Sequence, residues 1–258
     1  MRDFVLGLLA PVESSVSIEL FNFWHFVYII LIVGGTVLGG IYMAHHARPV
    51  QAHILRSLAW LIPSCYIMDL FLMPLANSDF AIDVDKLPFH ICTLMAFFVP
   101  FAQFNKRFPP VRDTIATLTL VASLMYICYP GSAIGDIAPW DYRVIQTFAY
   151  HGLMFAWGTL SLTSGAIKLS FRKLWKCAVA ILMIICWANL GNTLYTRPDK
   201  HYDWFFITGS TFPFIPAPLM PLVVFVAVFA MCTIITAIYY WVETALRRKA
   251  EAKTNATA

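Results

Sequence analysis

Seven long apolar stretches dominate this chain and leave few folds open to it. They run over about 20–44, 54–76, 88–105, 112–130, 143–167, 173–196 and 214–246. A helix needs roughly 20 apolar residues to cross the hydrocarbon of a bilayer. The first stretch carries no Lys, Arg, Asp or Glu at all. Of the 258 residues, 60% are hydrophobic and 12% charged, with mean hydropathy +0.71. A soluble domain has about a quarter of its residues charged, and one core of this size could not hide so much apolar surface. The sequence therefore reads as an all-α, polytopic membrane helix bundle of seven transmembrane helices. Residues 1–246 form its single domain, and 247–258 form a basic tail expected to be disordered. The last stretch opens on "FPFIPAPLMP", so its regular span is expected to begin near Leu219.

Loop charges give the orientation, because Lys and Arg accumulate on the cytoplasmic side. One set of alternate loops carries Arg48 and Arg56; Lys106, Arg107 and Arg112; Lys168, Arg172, Lys173 and Lys176; and, in the tail, Arg247, Arg248, Lys249 and Lys253. The other set is acidic or mixed: Asp79, Asp83, Asp85 and Lys86; Asp136, Asp141 and Arg143; Arg197, Asp199, Lys200 and Asp203. Every loop agrees with the N-terminus outside and the C-terminus inside. The residues before the first span read as an interfacial lead-in. The net charge of +4 is spread over short loop clusters, which excludes a nucleic-acid partner. Cys65, Cys92, Cys128, Cys177, Cys186 and Cys232 lie in or beside apolar runs without metal-ligand spacing, and free thiols are expected. No cofactor motif is present.

Ionisable and amide residues inside spans are costly and face a bundle interior or a wet cavity. Here they are few: Asn22 and His25; Asp69; His90, Cys92 and Thr93; Gln146, Tyr150 and His151; Cys186, Asn189 and Asn192. At 1.5 Å per residue, Asp69, His151 and Asn189 each lie roughly 10 Å from the outer helix ends. They form one polar layer, whereas the inner halves read as almost purely apolar. His90 and Thr93 share a helix face, and Cys92 points about 160° away from His90. An irregular helix start after Pro88 could bring Cys92 back. Cys186, Asn189, Asn192 and Tyr195 form a stripe at three-residue spacing. A carboxylate at the depth of Asp69 needs a His or Asn partner or a proton. His25 reads as a headgroup-level histidine, and Gly35-xxx-Gly39 as a close-packing face.

"LPFHICTL", "YHGLMFAWG" and "NLGNTLYTRPDKHYDWF", in that order, resemble the YwaF family of bacterial integral membrane proteins. The resemblance covers roughly residues 15–245 and implies a multi-pass protein of the bacterial cytoplasmic membrane. The family is similar to a vertebrate acyltransferase that builds ether phospholipids and, more distantly, to androgen-induced membrane hydrolases. It therefore implies acyl-ester chemistry on a membrane lipid. His90 and His151 match the family's histidines, and Asn189, Asn192 and Arg197 its sixth-span motif. The nucleophile does not carry over: Phe89 precedes His90, and "PSCYIMD" on the second span holds Ser64 and Cys65 but no Thr.

Two functions follow as expectations. The first is a lipid-acyl hydrolase or acyltransferase. Its base is His151 or His90, polarised by Asp69, and its nucleophile Thr93 or Cys92. Asn189, Asn192, Tyr195, Gln146 and Arg197 hold the lipid. The second is a non-catalytic binding, transport or accessory subunit that recognises a lipid, a small ligand or a membrane protein partner. A retinal photoreceptor is excluded, because residues 219–246 contain no lysine.

Overall fold

The computed structural model describes Gly7, Leu9 and residues 12–76, 84–105, 109–131, 133–208 and 214–257. Most of the N-terminal lead-in, Asp79, Asp83, Lys106, Arg107, and Phe212 and Pro213 of the proline-rich segment lie outside the described residues. So do the side chains of Asp136, Lys249 and Lys253.

Seven helices are present among them: α1 (Phe23–Ala44), α2 (Arg48–Ala76), α3 (Ile91–Phe104), α4 (Pro109–Cys128), α5 (Tyr142–Thr163), α6 (Leu174–Tyr195) and α7 (Met220–Thr257). Each coincides with one apolar stretch. Five are long and apolar enough to cross a membrane: Phe23–Ala44, Arg48–Leu72, Pro110–Cys128, Phe171–Tyr195 and Ala217–Arg248. The other two differ for physical reasons. α3 has 14 residues, which gives about 21 Å against a hydrocarbon core of about 30 Å. α5 is long but more polar, because it is the centre of the bundle and touches α1, α2 and α4. Its Val144, Phe148, His151, Met154, Trp157 and Ser161 are all buried. Small residues let its neighbours approach: a Cβ on Gly158 would sit 2.7 Å from Leu120 of α4, and one on Gly152 2.9 Å from Ile32 of α1.

α7 continues as helix through Thr257, over the tail expected to be disordered. Ala, Glu, Lys and Arg are good helix formers, and Arg247 Nη2 pairs with Glu243 Oε1 at 2.7 Å, one turn back. A short antiparallel ribbon departs from the helical pattern: β1 (Glu13–Ile18) pairs with β2 (Gly135–Ile137) across an irregular register. It ties the lead-in to the α4–α5 loop and covers the start of α1.

That cover corrects the reading of His25. The side chain is fully buried. Its Nδ1 accepts from Phe21 N–H at 3.0 Å, and its Nε2–H donates to the Ile127 carbonyl at 2.8 Å. The glycine face on α1 is also corrected in part. A Cβ on Gly35 would meet nothing within 4 Å, and one on Gly39 would only graze Leu160 at 3.5 Å.

The helix halves expected to be inner are not purely apolar. Asp113, at 6% exposure, pairs with Lys173 at 3.2 Å, and Thr114, Thr117 and Thr119 of α4 and Ser161 of α5 are buried as well. Thr117 donates to the Asp113 carbonyl four residues back. A hydroxyl satisfied in this way costs little in an apolar setting, whereas those of Thr114, Thr119 and Ser161 have no partner among the described residues.

Candidate functional site

The stretch "KLPFHICTL" sits where α2, α3, α5 and the α6–α7 loop converge. The chain is extended through His90, which is the N-cap of α3, and the helix proper begins at Ile91. The irregular start after Pro88 is thus real, yet it does not bring His90 and Cys92 together. They serve opposite sides of the element.

On one side, the His90 ring turns to the α6–α7 loop. Its Nδ1 accepts from Phe205 N–H at 3.2 Å. Phe205 and Phe206 both hold left-handed backbone, with φ of 63° and 56°, which costs a bulky residue about 1–3 kcal/mol. The loop is clamped a second time by Asn192 of α6. Its Oδ1 accepts from Trp204 N–H at 2.8 Å, and its Nδ2 donates to the Trp204 carbonyl at 3.3 Å. Phe89 fills the space beneath, 4.9 Å from the Trp204 ring centre and 5.8 Å from that of Tyr195. The fit requires Gly191, because a Cβ there would lie 2.5 Å from the Phe89 ring. Thr93 is spent on a local bond, donating to the His90 carbonyl at 2.9 Å.

On the other side lies a mixed polar cluster. Asp69 is buried and pairs with Lys86 at 2.8 Å. This replaces the expected histidine or amide partner: the 3₁₀ turn at Val84–Lys86 hangs over the end of α2, and Tyr66 OH pins it by donating to the Lys86 carbonyl. Tyr150 of α5 donates its hydroxyl to the Cys92 carbonyl at 2.6 Å, and Gln146 donates to the Cys65 carbonyl at 3.2 Å. Cys92 lies within electrostatic range of Lys86, Tyr66 and Tyr150.

His151 lies beside this cluster. Its ring stacks on Tyr126 with centres 3.8 Å apart and meets Tyr150 edge-on at 4.9 Å. Nδ1–H donates to the Thr147 carbonyl at 2.8 Å, which leaves Nε2 as an acceptor. That nitrogen is buried and has no hydrogen-bond partner among the described residues. His90 is within electrostatic range of it.

The amides and Arg197 occupy the far side of the loop. Asn189, Asn192, Thr193, Thr196, His201, Tyr202 and Thr208 line an open cleft of about 590 Å³. Arg197 is exposed and its backbone exchanges hydrogen bonds with Lys200. The ten predicted residues therefore divide. His90, Thr93, Asn192 and Tyr195 gather around Phe89 and Trp204. Asp69, Cys92 and Gln146 gather around Lys86 and the tyrosines, with His151 beside them against Tyr126 and Tyr150. Asn189 lines the cleft, and Arg197 stands outside. Lys86, Tyr66 and Trp204 are the partners that sequence reasoning missed. Lys86 looked like an ordinary loop charge, and "DKHYDWF" gave no sign that its backbone would be clamped from two helices.

A helical bundle with five long apolar helices, a largely exposed apolar periphery and a buried polar interior is the architecture of an integral membrane protein. Residues 20–241 match the family model of the TMEM164 family, a family of membrane proteins, and the chain belongs to that family. No curated protein and no solved structure matches the chain.

Proposed function

We propose that this protein transfers or hydrolyses an acyl group of a membrane lipid, with Cys92 as nucleophile and His151 as base. One observation carries the reading: the buried Nε2 of His151 is an acceptor with no partner, while Nδ1–H is fixed on Thr147. That is the tautomer and orientation a general base needs. Among the nucleophile candidates, Thr93 and Ser64 donate their hydroxyls to carbonyls of their own helix or its cap. Cys92 instead carries a thiol on the side of α3 where Tyr150 donates to the Cys92 carbonyl and meets His151 edge-on.

In the proposed sequence, an ester carbonyl seated over Tyr150 is attacked by the Cys92 sulfur. The thiol proton passes to His151 Nε2 and then to the departing lipid alkoxide. This leaves an acyl thioester on Cys92. A second hydroxyl, of a lipid acceptor or of water, gives its proton to His151 and takes the acyl group, which restores the thiol. His90, Thr93 and Asn192 act as positioning residues that hold the loop over the start of α3. Asp69 anchors Lys86. Asn189, Gln146, Tyr195 and Arg197 lie toward the lipid headgroup. The bundle sits in the bacterial cytoplasmic membrane with seven spans, N-terminus out, so this layer faces the outer leaflet.

Lipid profiles of cells expressing the wild type, a deletion, Cys92→Ser and His151→Asn test this. Both variants are expected to reproduce the deletion profile at wild-type protein level. A deletion phenotype fully rescued by either variant sinks the reading. A second reading draws on a separate observation: His90, Asp69 and Asn192 are all internally satisfied. This favours a lipid- or partner-binding subunit whose ligand occupies the Asn189 cleft, and it predicts that both variants rescue.

A further inference from the structure

At the opposite end of α6 from the Asn192 clamp, the start of α6 and the end of α7 gather positive charge. Residues 168–176 read "KLSFRKLWK", with four cations, two large aromatics and no carboxylate. Lys168, Arg172 and Lys173 are exposed and Lys176 is half-buried. Side-chain contacts tie this run to two other helices. Lys176 Nζ donates to the Pro110 carbonyl at the start of α4 at 2.6 Å, and Lys173 pairs with Asp113 at 3.2 Å. Phe171 stacks on Tyr240 of α7, with ring centres 5.1 Å apart. Arg247 stands two turns beyond Tyr240 on the same face of α7, since seven residues turn a helix almost twice, and Arg248 follows it. The carboxylates nearby are Asp113, held by Lys173, Glu243, held by Arg247 at 2.7 Å, and Glu251, one turn further out. Lys168, Arg172, Lys176 and Arg248 enter no ion pair among the described residues.

We propose that this seam between α6 and α7 binds the headgroup of an anionic phospholipid. Three features support it. The first is level: the apolar span of α6 begins at Phe171 and that of α7 ends at Arg248, so the cations stand where the hydrocarbon gives way to headgroup phosphates. The second is charge. Four cations without a carboxylate partner leave a positive surface that an anionic leaflet neutralises, each cation adding to the attraction, and an arginine fork matches two phosphate oxygens. The third is the aromatic rim: Phe171, Trp175 and Trp241 are 45%, 62% and 74% exposed, and rings of this kind rest at the interface with their apolar body among the acyl chains.

The same features select the lipid. A zwitterionic headgroup offers the phosphate too, but it brings an ammonium that finds no free carboxylate on residues 168–176 and only cations around it. A net anionic headgroup avoids that repulsion. Bound across the Phe171–Tyr240 contact, it bridges the α5–α6 connection to the end of α7. The site is independent of the proposed acyl chemistry and is expected whether or not that chemistry occurs.

Purified full-length protein in a neutral detergent, titrated with short-chain phosphatidylglycerol or phosphatidylcholine and read by native mass spectrometry, tests the proposal. The wild type is expected to hold phosphatidylglycerol in preference to phosphatidylcholine, and the preference is expected to shrink as salt rises. Arg172→Gln and Lys176→Gln are each expected to weaken the phosphatidylglycerol adduct about fivefold. Lys200→Gln, which removes one positive charge from the α6–α7 loop, is expected to leave it unchanged. Equal binding of the two lipids to the wild type overturns the proposal, as does equal weakening by Lys200→Gln, because net charge alone would then decide. Displacement of phosphatidylglycerol by inorganic phosphate at matched ionic strength also overturns it, since the occupant would then be a free anion. Should the seam variants not fold, the wild type decides: a preference that is absent or indifferent to salt sinks the assignment.

Discussion

His25 and His90 do one job, and His151 does another. Each of the first two accepts, through Nδ1, the backbone N–H of a phenylalanine in left-handed conformation: Phe21 with φ 58° for His25, Phe205 with φ 63° for His90. Each pins an unfavourable turn where a loop meets a helix start. His151 fixes its Nδ1 on its own helix and leaves Nε2 buried without a partner. A buried acceptor left open forfeits about 1–3 kcal/mol, which a purely structural histidine would recover by turning to a donor. The contrast separates a loop clamp around Phe89 and Trp204 from the proposed reactive layer around Cys92, Tyr150 and His151.

The sharpest test exchanges the two histidines' roles. His151→Asn is expected to lower acyl turnover by about 10²–10⁴-fold, the usual contribution of a positioned base, with little change in thermal midpoint. His90→Ala is expected to do the reverse. It strands the Phe205 N–H and lowers stability by about 1–3 kcal/mol, with a turnover loss that cooling or added lipid restores. Turnover of a labelled lipid and thermal unfolding in detergent, read on the same preparations, check both. Equal turnover losses that survive stabilisation would erase the distinction between the regions.

The clamp can also be strained from beneath. A Cβ at Gly191 would lie 2.5 Å from the Phe89 ring, so Gly191→Ala is expected to cost about 1–3 kcal/mol by overpacking. Gly35→Ala has nothing within 4 Å to meet, and replacing a mid-helix glycine there is expected to be neutral or to stabilise by about 0.5–1 kcal/mol. Thermal midpoints of the two variants should therefore move in different directions or by clearly different amounts.

The Asp69–Lys86 pair sits at the edge of the reactive layer, with the carboxylate buried and the ammonium 38% exposed. Lys86→Met removes the partner of a buried charge and is expected to cost about 1–3 kcal/mol, less than a fully buried pair because water screens Lys86. Adding Asp69→Leu is expected to recover part of that loss, since both charges are then gone. A double-mutant cycle on unfolding free energies measures the coupling. A zero coupling would mean that Asp69 has another partner.

The helices were legible because hydropathy and length report directly on burial in lipid, and each of the seven stretches is helical. The opposed facing of His90 and Cys92 matches the helical period, although His90 is the extended N-cap and stands before the helix proper. What escaped was long-range pairing. Lys86 meets Asp69 across a turn that no periodicity describes. His25 is buried between Phe21, the Ile127 carbonyl at the end of α4 and the Phe148 ring of α5, contacts far apart in sequence. The polar groups on the Asp113 side were hidden because threonine and serine barely interrupt an apolar run, and because Asp113 sits next to Arg112 in sequence like any loop charge. Within the site, residue types suggested the chemistry, but only the three-dimensional hydrogen-bond partners distinguish His151, with a free nitrogen, from His90, whose Nδ1 is spent.

The smallest expected effect lies on the outer rim of the clamp. Lys200 Nζ lies over the Tyr202 ring, 4.8 Å from its centre, and pairs with Asp85 at 3.3 Å, linking the α6–α7 loop to the turn before α3. Tyr202 first and Asp85 second hold the ammonium above its ordinary value. A raised folded-state value for a cation means that its stabilising contribution is complete below the ordinary lysine value, about 10.4, and fades as pH rises through the raised one. Both side chains are half-exposed, so the contribution is expected to fall within the error of a thermal melt at neutral pH. Lys200→Met should therefore leave the melt at pH 7 unchanged, while His90→Ala shifts it. A large pH 7 shift for Lys200→Met would place the strength of the clamp at its exposed rim rather than at the buried histidine and amide.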